Sequence, residues 1–406
     1  MSFQTGLSGL NASSRSLDVI GNNNANANTT GMKSSRAEFG DLVASSLGAA
    51  GGSVGAGIGV AVQTIAQQFT QGNINTTGNS LDVAINGGGF FQLTQTDGSL
   101  AYTRDGSFKL DKDGYLITNT GANLMGYPTD TAGATTSKTA TKLQLPTTAP
   151  IDAKQTTAIT AEFNLDARAV IATSVTPNTP RSTYGTSLTV YDSQGVATPV
   201  NLYFSKVTPT TAGTDQWAVY DSLTATTPVG SLVFDAAGKL TSSTVSSLTV
   251  TPTAPSIVPA FPVTVDFSGV TEYGSAFTVS NLTQDGYASG DLTGISIGED
   301  GLVTTRYSNG QTQYKGQIAL TDFRNTQGLQ PLGNNAWAAT YTSGDPVTGS
   351  PAEGRFGSLR AGALEESNVD LTSELVNMMT AQRSYQANAQ TIKTQDQIMS
   401  TLVNLR

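Results

Sequence analysis

The sequence predicts a mainly β protein with α-helical termini, whose domains are nested: a β-meander domain is interrupted by an inserted β-sandwich or barrel-like domain. Three observations carry this prediction. Residues 367–406 contain neither Gly nor Pro and repeat a large apolar residue every seven positions; residues 3–20 echo that repeat; and the long stretch between them alternates apolar residues between tight-turn signals.

At the amino end Phe3, Leu10 and Leu17 recur at sevens with Leu7 and Ile20 beside them, and Gly21 is the expected helix cap. Gly6 and Gly9 lie inside this helix. Each costs about 1 kcal/mol against alanine, which leaves the helix marginal alone, while their small size permits close contact with another helix. The asparagine-rich "GNNNANANTTGMKS" at 21–34 follows, where amide side chains can bond backbone groups as a helix ends. Residues 31–75, Gly-rich and Ala-rich around "SSLGAAGGSVGAGIGVAV", read as a connecting segment that turns strand-like.

From "LDVAINGGGFFQL" onward, Asp-Gly pairs at Asp97, Asp105 and Asp113 punctuate the alternating Phe91, Leu93, Leu100, Tyr102, Phe108 and Leu110, which is the pattern of a meander. Composition then shifts to Thr, Ala, Pro and Val. Short runs such as "SLTVYD", "QWAVYD" and "GSLVFD" between turns like "DSQG" and "DAAG" predict a separate β domain. Hairpin signals resume at Asp300-Gly301 and Asn309-Gly310, so a second meander is expected to pack with the first. The expected division is a terminal helical domain (1–30 and 365–406), the connecting segment (31–75), a β domain in two pieces (76–145 and 284–364) and the insert (146–283).

The carboxyl-terminal helix carries one complete heptad seam, Leu371, Met378, Tyr385, Ile392 and Met399, and a mixed companion, Leu375, Gln382, Ala389, Asp396 and Val403. Ser367 with Asp370 three residues on reads as its capping box, and Glu365 and Glu366 read as negative charge favouring the helix start. A lone helix buries only one side of such a stripe. Both termini are therefore expected to fray in the single chain and to become ordered when subunits pack.

Composition excludes several functions. Of 406 residues only 13% are charged, the net charge is −9, and no basic run offers a footprint for nucleic acid. Cys and His are both absent, which removes disulfides, thiolate ligands and the usual catalytic triads. "GAGIG" at 55–59 lacks the third glycine of a dinucleotide loop, and "LDKDGYL" at 110–116 lacks the later ligands of a calcium loop and reads as a hairpin turn. No catalytic residue, cofactor or metal is expected. The amino terminus has no basic residue before Arg15 and no apolar core, so it is not a conventional secretory signal, and no run is apolar enough to insert in a membrane.

Two segments carry a resemblance. "GLNASSRSLDVIGNNNANANTTGMKS" resembles the amino-terminal motif of the flagellar rod and hook axial proteins, L-x-x-x-x-N-N-x-A-N-x-x-T-x-G-[FM]-K, on Asn22, Asn23, Ala25, Asn26, Thr29, Gly31 and Lys33. "GALEESNVDLTSELVNMMTAQRSYQANAQTIKTQDQIM" resembles the carboxyl-terminal motif, with Asn368, Asp370, Gln382, Arg383 and Asn388. Asn24 and Met32 depart from common family residues, and are expected to loosen local packing. The Thr-rich insert favours the longer hook-type members over the shorter distal-rod type.

The resemblance implies a structural subunit of a helical homopolymer, a flexible tubular joint that transmits torque from rod to filament. Its terminal helices would pair as a coiled coil and line a channel, with residues 31–75 and the meanders around them and the insert outside. Leu7, Leu10, Leu17 and Ile20 would face Leu371, Leu375, Met378 and Ile392; Phe3, Tyr385, Met399 and Leu402 would complete the assembly surface. Implied partners are further copies, the rod, a hook cap, hook-filament junction proteins and the flagellar type III export apparatus. A monomeric secreted β-rich adhesin would account for the Thr-rich middle but leaves the heptads at both ends without a purpose.

Overall fold

The computed structural model describes residues 2–43, 57–146, 150–252 and 256–404; the glycines of "GGS" at 51–53, Gly55 and the side chain of Leu402 lie outside the described set. The fold is mainly β with a helix at each terminus, as the sequence predicts. The chain separates into two compact units, one of Met1–Thr148, Thr293–Arg306 and Thr312–Arg406, the other of Ala149–Leu292 and Tyr307–Gln311.

In the first unit, α1 (Ser2–Ala25) runs four residues past Gly21. The expected cap is wrong because Gly21 keeps a helical conformation, and the first positive φ among the described residues falls at Gly31 (φ 70°). The helix stops where the Asn26 side-chain amide donates to the Asn22 carbonyl and the Asn26 N–H is shared between the Asn22 and Asn23 carbonyls. Within 31–75 lies a long antiparallel hairpin, β1 (Ser35–Val43) with β2 (Gly57–Gln67), which sets Ser35 opposite Gln67. Two short strands then pair with the end of the chain: β3 (Ile74–Thr76) with Ala363–Glu365, and β4 (Val83–Asn86) with Ser358–Ala361.

The two meanders share one sheet, in the order Thr312–Ile318, Asn123–Tyr127, Phe90–Thr94, Leu100–Thr103, Ala336–Ala338, Gln330–Gly333. Its core gathers Ile85, Phe91, Phe108, Leu116, Leu124, Val303, Ile318 and Leu320. The Asp-Gly turns close as the sequence requires: Asp97 Oδ1 accepts the Ser99 N–H at 2.8 Å, and Asp111 Oδ1 accepts the Asp113 and Tyr115 N–H groups at 2.9 and 2.7 Å. The unit ends in α2 (Leu371–Asn404). Asp370 alone caps it, accepting the Thr372 and Ser373 N–H groups at 2.9 and 3.3 Å, while Ser367 Oγ accepts the Val369 N–H outside the helix. The Ser367 capping box fails because the helix begins three residues too late for it.

The second unit is a sandwich of two five-stranded sheets. Ala158–Asp166 is central to one, with alternate residues buried, and Gly185–Tyr191 through Leu240–Ser243 form the other as a meander. Phe163, Leu165, Phe204, Trp217 and Val263 fill the space between. An ionic cluster runs from the interior of this unit to its surface: Lys206 Nζ lies 2.9 Å from both the buried Glu272 Oε1 and the partly exposed Asp215 Oδ2, and Trp217 Nε1 donates to Glu272 Oε1 at 3.0 Å.

Candidate assembly site: the paired helices and their joint

Helices α1 and α2 pack antiparallel through the glycines of α1. A Cβ added at Gly6 would stand 3.2 Å from Ile392 Cγ1, and one at Gly9 would stand 2.9 Å from the Asn388 amide. A side chain at either position would have to displace Ile392 or Asn388. Asn388 Nδ2 reaches Ser13 Oγ at 3.5 Å, and Ser8 Oγ accepts the Val60 N–H, which ties α1 to β2.

The covered stripe of α2 joins Met378 and Ile392 to Glu374, Ala381, Asn388 and Gln395. The companion seam thus lies one residue earlier than the sequence implied; Leu375, Gln382 and Asp396 are exposed and Ala389 is half-buried. Small and polar residues share that stripe with Met378 and Ile392, and Gly6 and Gly9 of α1 make room for Ile392 and Asn388. The outside is mixed, but it carries many large apolar residues. Leu371, Leu375, Val376, Met379, Ile398 and Met399 are all exposed, Leu375 by 49% and Met399 by 56%, as are Phe3, Leu7 and Tyr385. Leu10 and Leu17 are half-buried, and Ile20 is buried with Val19. Gln382 and Arg383 point to solvent.

Below the helix pair lies a joint made by the asparagine-rich segment and the residues before α2. Asn23 is buried, and its side-chain amide takes both backbone groups of Ser35: Nδ2 donates to the Ser35 carbonyl at 2.7 Å, and Oδ1 accepts the Ser35 N–H at 2.8 Å. This fixes the exit of α1 to the start of β1. Asn22 and Ala25 are exposed at the end of the helix, and Thr29 shapes the next turn, bonding Asn26 on one side and Met32 on the other. Met32 is buried, and the Asn24 carbonyl accepts the Ala27 N–H at 3.4 Å in the turn before it. At Gly31 a Cβ would lie 2.5 Å from the Asp105 nitrogen, and the Gly31 N–H donates to the Glu365 carbonyl at 2.8 Å. Asn368 mirrors Asn23: Oδ1 accepts the Ser34 N–H, and Nδ2 donates to the Gln68 and Thr70 carbonyls.

Glu365 is the centre of this joint, and the reading of it as helix-start charge is overturned. Its side chain is fully buried in the strand paired with β3. Oε1 accepts Lys33 Nζ at 2.6 Å and the Gly72 N–H at 2.9 Å, and Oε2 accepts Arg104 Nη1 at 3.1 Å. Lys33 also donates to the Thr70 carbonyl, and Arg104 to the Gly87 carbonyl, its guanidinium 5.4 Å from the centre of the Phe90 ring. Burial pushes the Lys33 ammonium and the Arg104 guanidinium down from their ordinary values, and the Glu365 charge opposes this. Arg104 Nε is buried without a partner, so the site is strongly held but not fully satisfied. Sequence reading missed Glu365 and Arg104 because nothing local marks a charge for burial. The available signal was the match of Lys33, an otherwise unexplained cation, to a motif.

Among the described residues no group of three or more His, Cys, Asp or Glu could hold a metal ion, and no helix is long and apolar enough to cross a membrane. Four family models match the chain: "Flagella basal body rod protein" over 3–33, "Flagellar hook protein FlgE/F/G D1 domain" over 84–170, "Flagellar basal body protein FlaE D2 domain" over 164–287, and "Flagellar basal body rod FlgEFG protein C-terminal" over 360–405. The flagellar hook protein FlgE of Escherichia coli is 42% identical over 421 aligned residues that span all of both chains, and that of Salmonella typhimurium 41% over 419. The flagellar hook protein FlgE of Rhizobium meliloti is 34% identical, over all of this chain and 98% of its own. A crystal structure of the Helicobacter pylori flagellar hook protein FlgE2 is similar in fold alone, with a TM-score of 0.55 over 72% of this chain and all of that one at 15% identity. With matches across both terminal motifs, both β regions and the full length, the chain belongs to the flagellar hook protein FlgE family, structural subunits of the bacterial flagellum.

Proposed function

We propose that the chain polymerises through its terminal helix pair into the hook, a flexible tube that carries torque from rod to filament. The observation that supports this most directly is the set of apolar side chains of α2 left exposed after α1 has docked: Leu371, Leu375, Val376 and Met379 along one side of its first turns, and Ile398 and Met399 near its end. Exposed apolar area of this extent marks a surface meant for another protein. Identical subunits joined by heterologous contacts that do not close grow as a tube.

In this reading residues 1–30 and 365–406 form the inner tube, 31–75 connects it outward, 76–145 with 284–364 forms the next shell, and 146–283 lies outside. The low-charge, Thr-rich insert provides weak contacts that exchange as the tube bends, while the inner helices keep it continuous. Rod, hook cap, hook-filament junction proteins and the type III export apparatus are its partners, and it leaves the cell without a cleaved signal peptide to sit in the extracellular hook. The terminal helices gain most of their order from neighbouring copies, so limited proteolysis of the monomer trims both ends first.

The test is substitution of Leu375, Met379 and Ile398 by Ser in the full chain, followed by sedimentation and electron microscopy under assembly conditions. These side chains are exposed, so the subunit keeps its fold, and the expected outcome is loss of tubes. A full-length wild-type chain that stays monomeric under every condition that keeps its helices formed would instead favour the secreted adhesin.

A further inference from the structure

The helix pair and β1 enclose a cleft of about 730 Å³, lined by Gly9, Ser13, Ser16, Ala37, Asn377 and Glu374 among others. The carboxylate oxygen Oε2 of Glu374 is buried there without a hydrogen-bond partner. A buried carboxylate oxygen with no donor is costly unless a partner arrives. Among the described residues, Arg36 lines the same cleft but pairs with Glu38 at 2.6 Å, and Arg15 of α1 pairs with Asp18.

Two cations remain on the helices without an ion pair among the described residues, Arg383 and Lys393. Arg383 follows Val376 by seven residues and Met379 by four, so it shares their exposed face. Lys393 follows Met379 by fourteen residues, on the same side of the helix but about four turns further along it, away from Val376 and Met379. Glu374 and Arg383 are nine residues apart, which sets them about 180° around the helix and about 13 Å along it. They cannot meet within one α2. A residue pair on opposite faces of one helix makes a heterologous contact that repeats from copy to copy without closing.

We propose that Arg383 of one copy enters the cleft of a second copy and pairs with its Glu374. The guanidinium fork suits a carboxylate, and docking of the Val376 and Met379 face brings it to the mouth of the cleft. This contact rests on the polymer reading above and assigns that polymer one specific ion pair.

A charge-swap series in the full chain tests it, with the critical concentration for assembly as the readout and helicity by circular dichroism as the fold control. Glu374→Arg and Arg383→Glu each raise the critical concentration at least roughly tenfold, as expected for breaking a desolvated charge pair. The double variant, Glu374→Arg with Arg383→Glu, returns it to within about threefold of wild type. Glu374→Gln and Arg383→Gln, which leave the helix charge pattern milder, give smaller losses that do not add, and Lys393→Glu gives none. Tubes from both single reversals at the wild-type concentration, or a double variant no better than the worse single, would overturn the pair while leaving the polymer standing. A wild-type chain that forms no polymer overturns both.

Discussion

Lys33 Nζ stands 2.6 Å from Glu365 Oε1 across 332 residues of chain, and neither side chain reaches solvent. Through this contact the exit of the first helix and the approach to the last are locked to one carboxylate, which also holds Arg104 and the Gly72 N–H. The first unit is therefore incomplete until the last forty or so residues of the chain have arrived.

Removing the central carboxylate leaves two buried cations facing each other. Glu365→Gln is expected to destabilise the first unit by about 3 to 5 kcal/mol. Trp337 reports on that unit and Trp217 on the other, so each tryptophan followed in a chain with the other replaced by Phe gives a separate denaturation curve. The Trp337 transition should move to lower denaturant while the Trp217 transition stays; equal shifts in both would refute a local role.

Asn23 supplies one donor and one acceptor to the backbone of Ser35, and no other side chain of similar length does both. Asn23→Ala is expected to cost about 1 to 3 kcal/mol, since it leaves buried backbone groups unpaired. Asn23→Asp keeps the acceptor and turns the donor into a second acceptor facing the Ser35 carbonyl, so it should be at least as damaging. Hydrogen exchange at the Ser35 amide reads the acceptor side directly: faster in the alanine variant, protected in wild type.

Two glycines of α1 should respond in opposite directions. A Cβ at Gly21 meets nothing within 4 Å, so Gly21→Ala should stabilise the helix by roughly 1 kcal/mol. At Gly9 a side chain runs into Asn388, so Gly9→Leu should push α2 away and raise the critical concentration for assembly. Thermal melts and sedimentation together separate the two effects.

The second unit should titrate at both ends of the pH scale. For Asp285, burial alone would raise the carboxyl, but the Ala158 and Thr157 N–H groups, the Thr157 hydroxyl and Lys154 together hold it well below the usual range. Its stabilisation is present above the unfolded value of about 3.9 and is lost as pH falls through the lower folded value. Asp285→Asn should flatten that acid limb, at a cost near neutrality of roughly 1 to 2 kcal/mol after allowing for its exposed edge. For Lys206, burial pulls the ammonium down, yet Glu272 and Asp215 outweigh it and raise it overall. Its contribution is complete below about 10.4 and fades as pH rises beyond it. The Trp217 signal, hydrogen-bonded into the same cluster, follows both limbs.

How much of this was legible from residues alone differs from element to element. The helices at both ends, the Asp-Gly turns and the β insert follow from spacing and turn chemistry, which are local and need no partner. Asn23 and Gly31 could be singled out from a motif, but not what they hold: Asn23 bonds a residue twelve positions on, and Gly31 is forced by the backbone of Asp105. The companion seam of α2 was misplaced by one residue because hydrophobicity pointed to Leu375. Contact with Gly6 and Gly9 of α1 places Asn388 on the covered side instead, with Ala381 buried on the same stripe, and Leu375 stays outside.

Sequence by itself determined the mainly β fold with helical ends, since periodicity and turn residues act within a few positions of each other. It also determined the family, through motifs at both termini. Only the tertiary structure decided that Glu365 is a buried hub and not a helix-start charge, and which face of α2 is spent inside the subunit. Burial of a charge depends on cations supplied from residues 33 and 104, and the choice of helix face on how closely a glycine lets two backbones approach. Both are properties of distant parts of the chain brought together, and no local pattern encodes them.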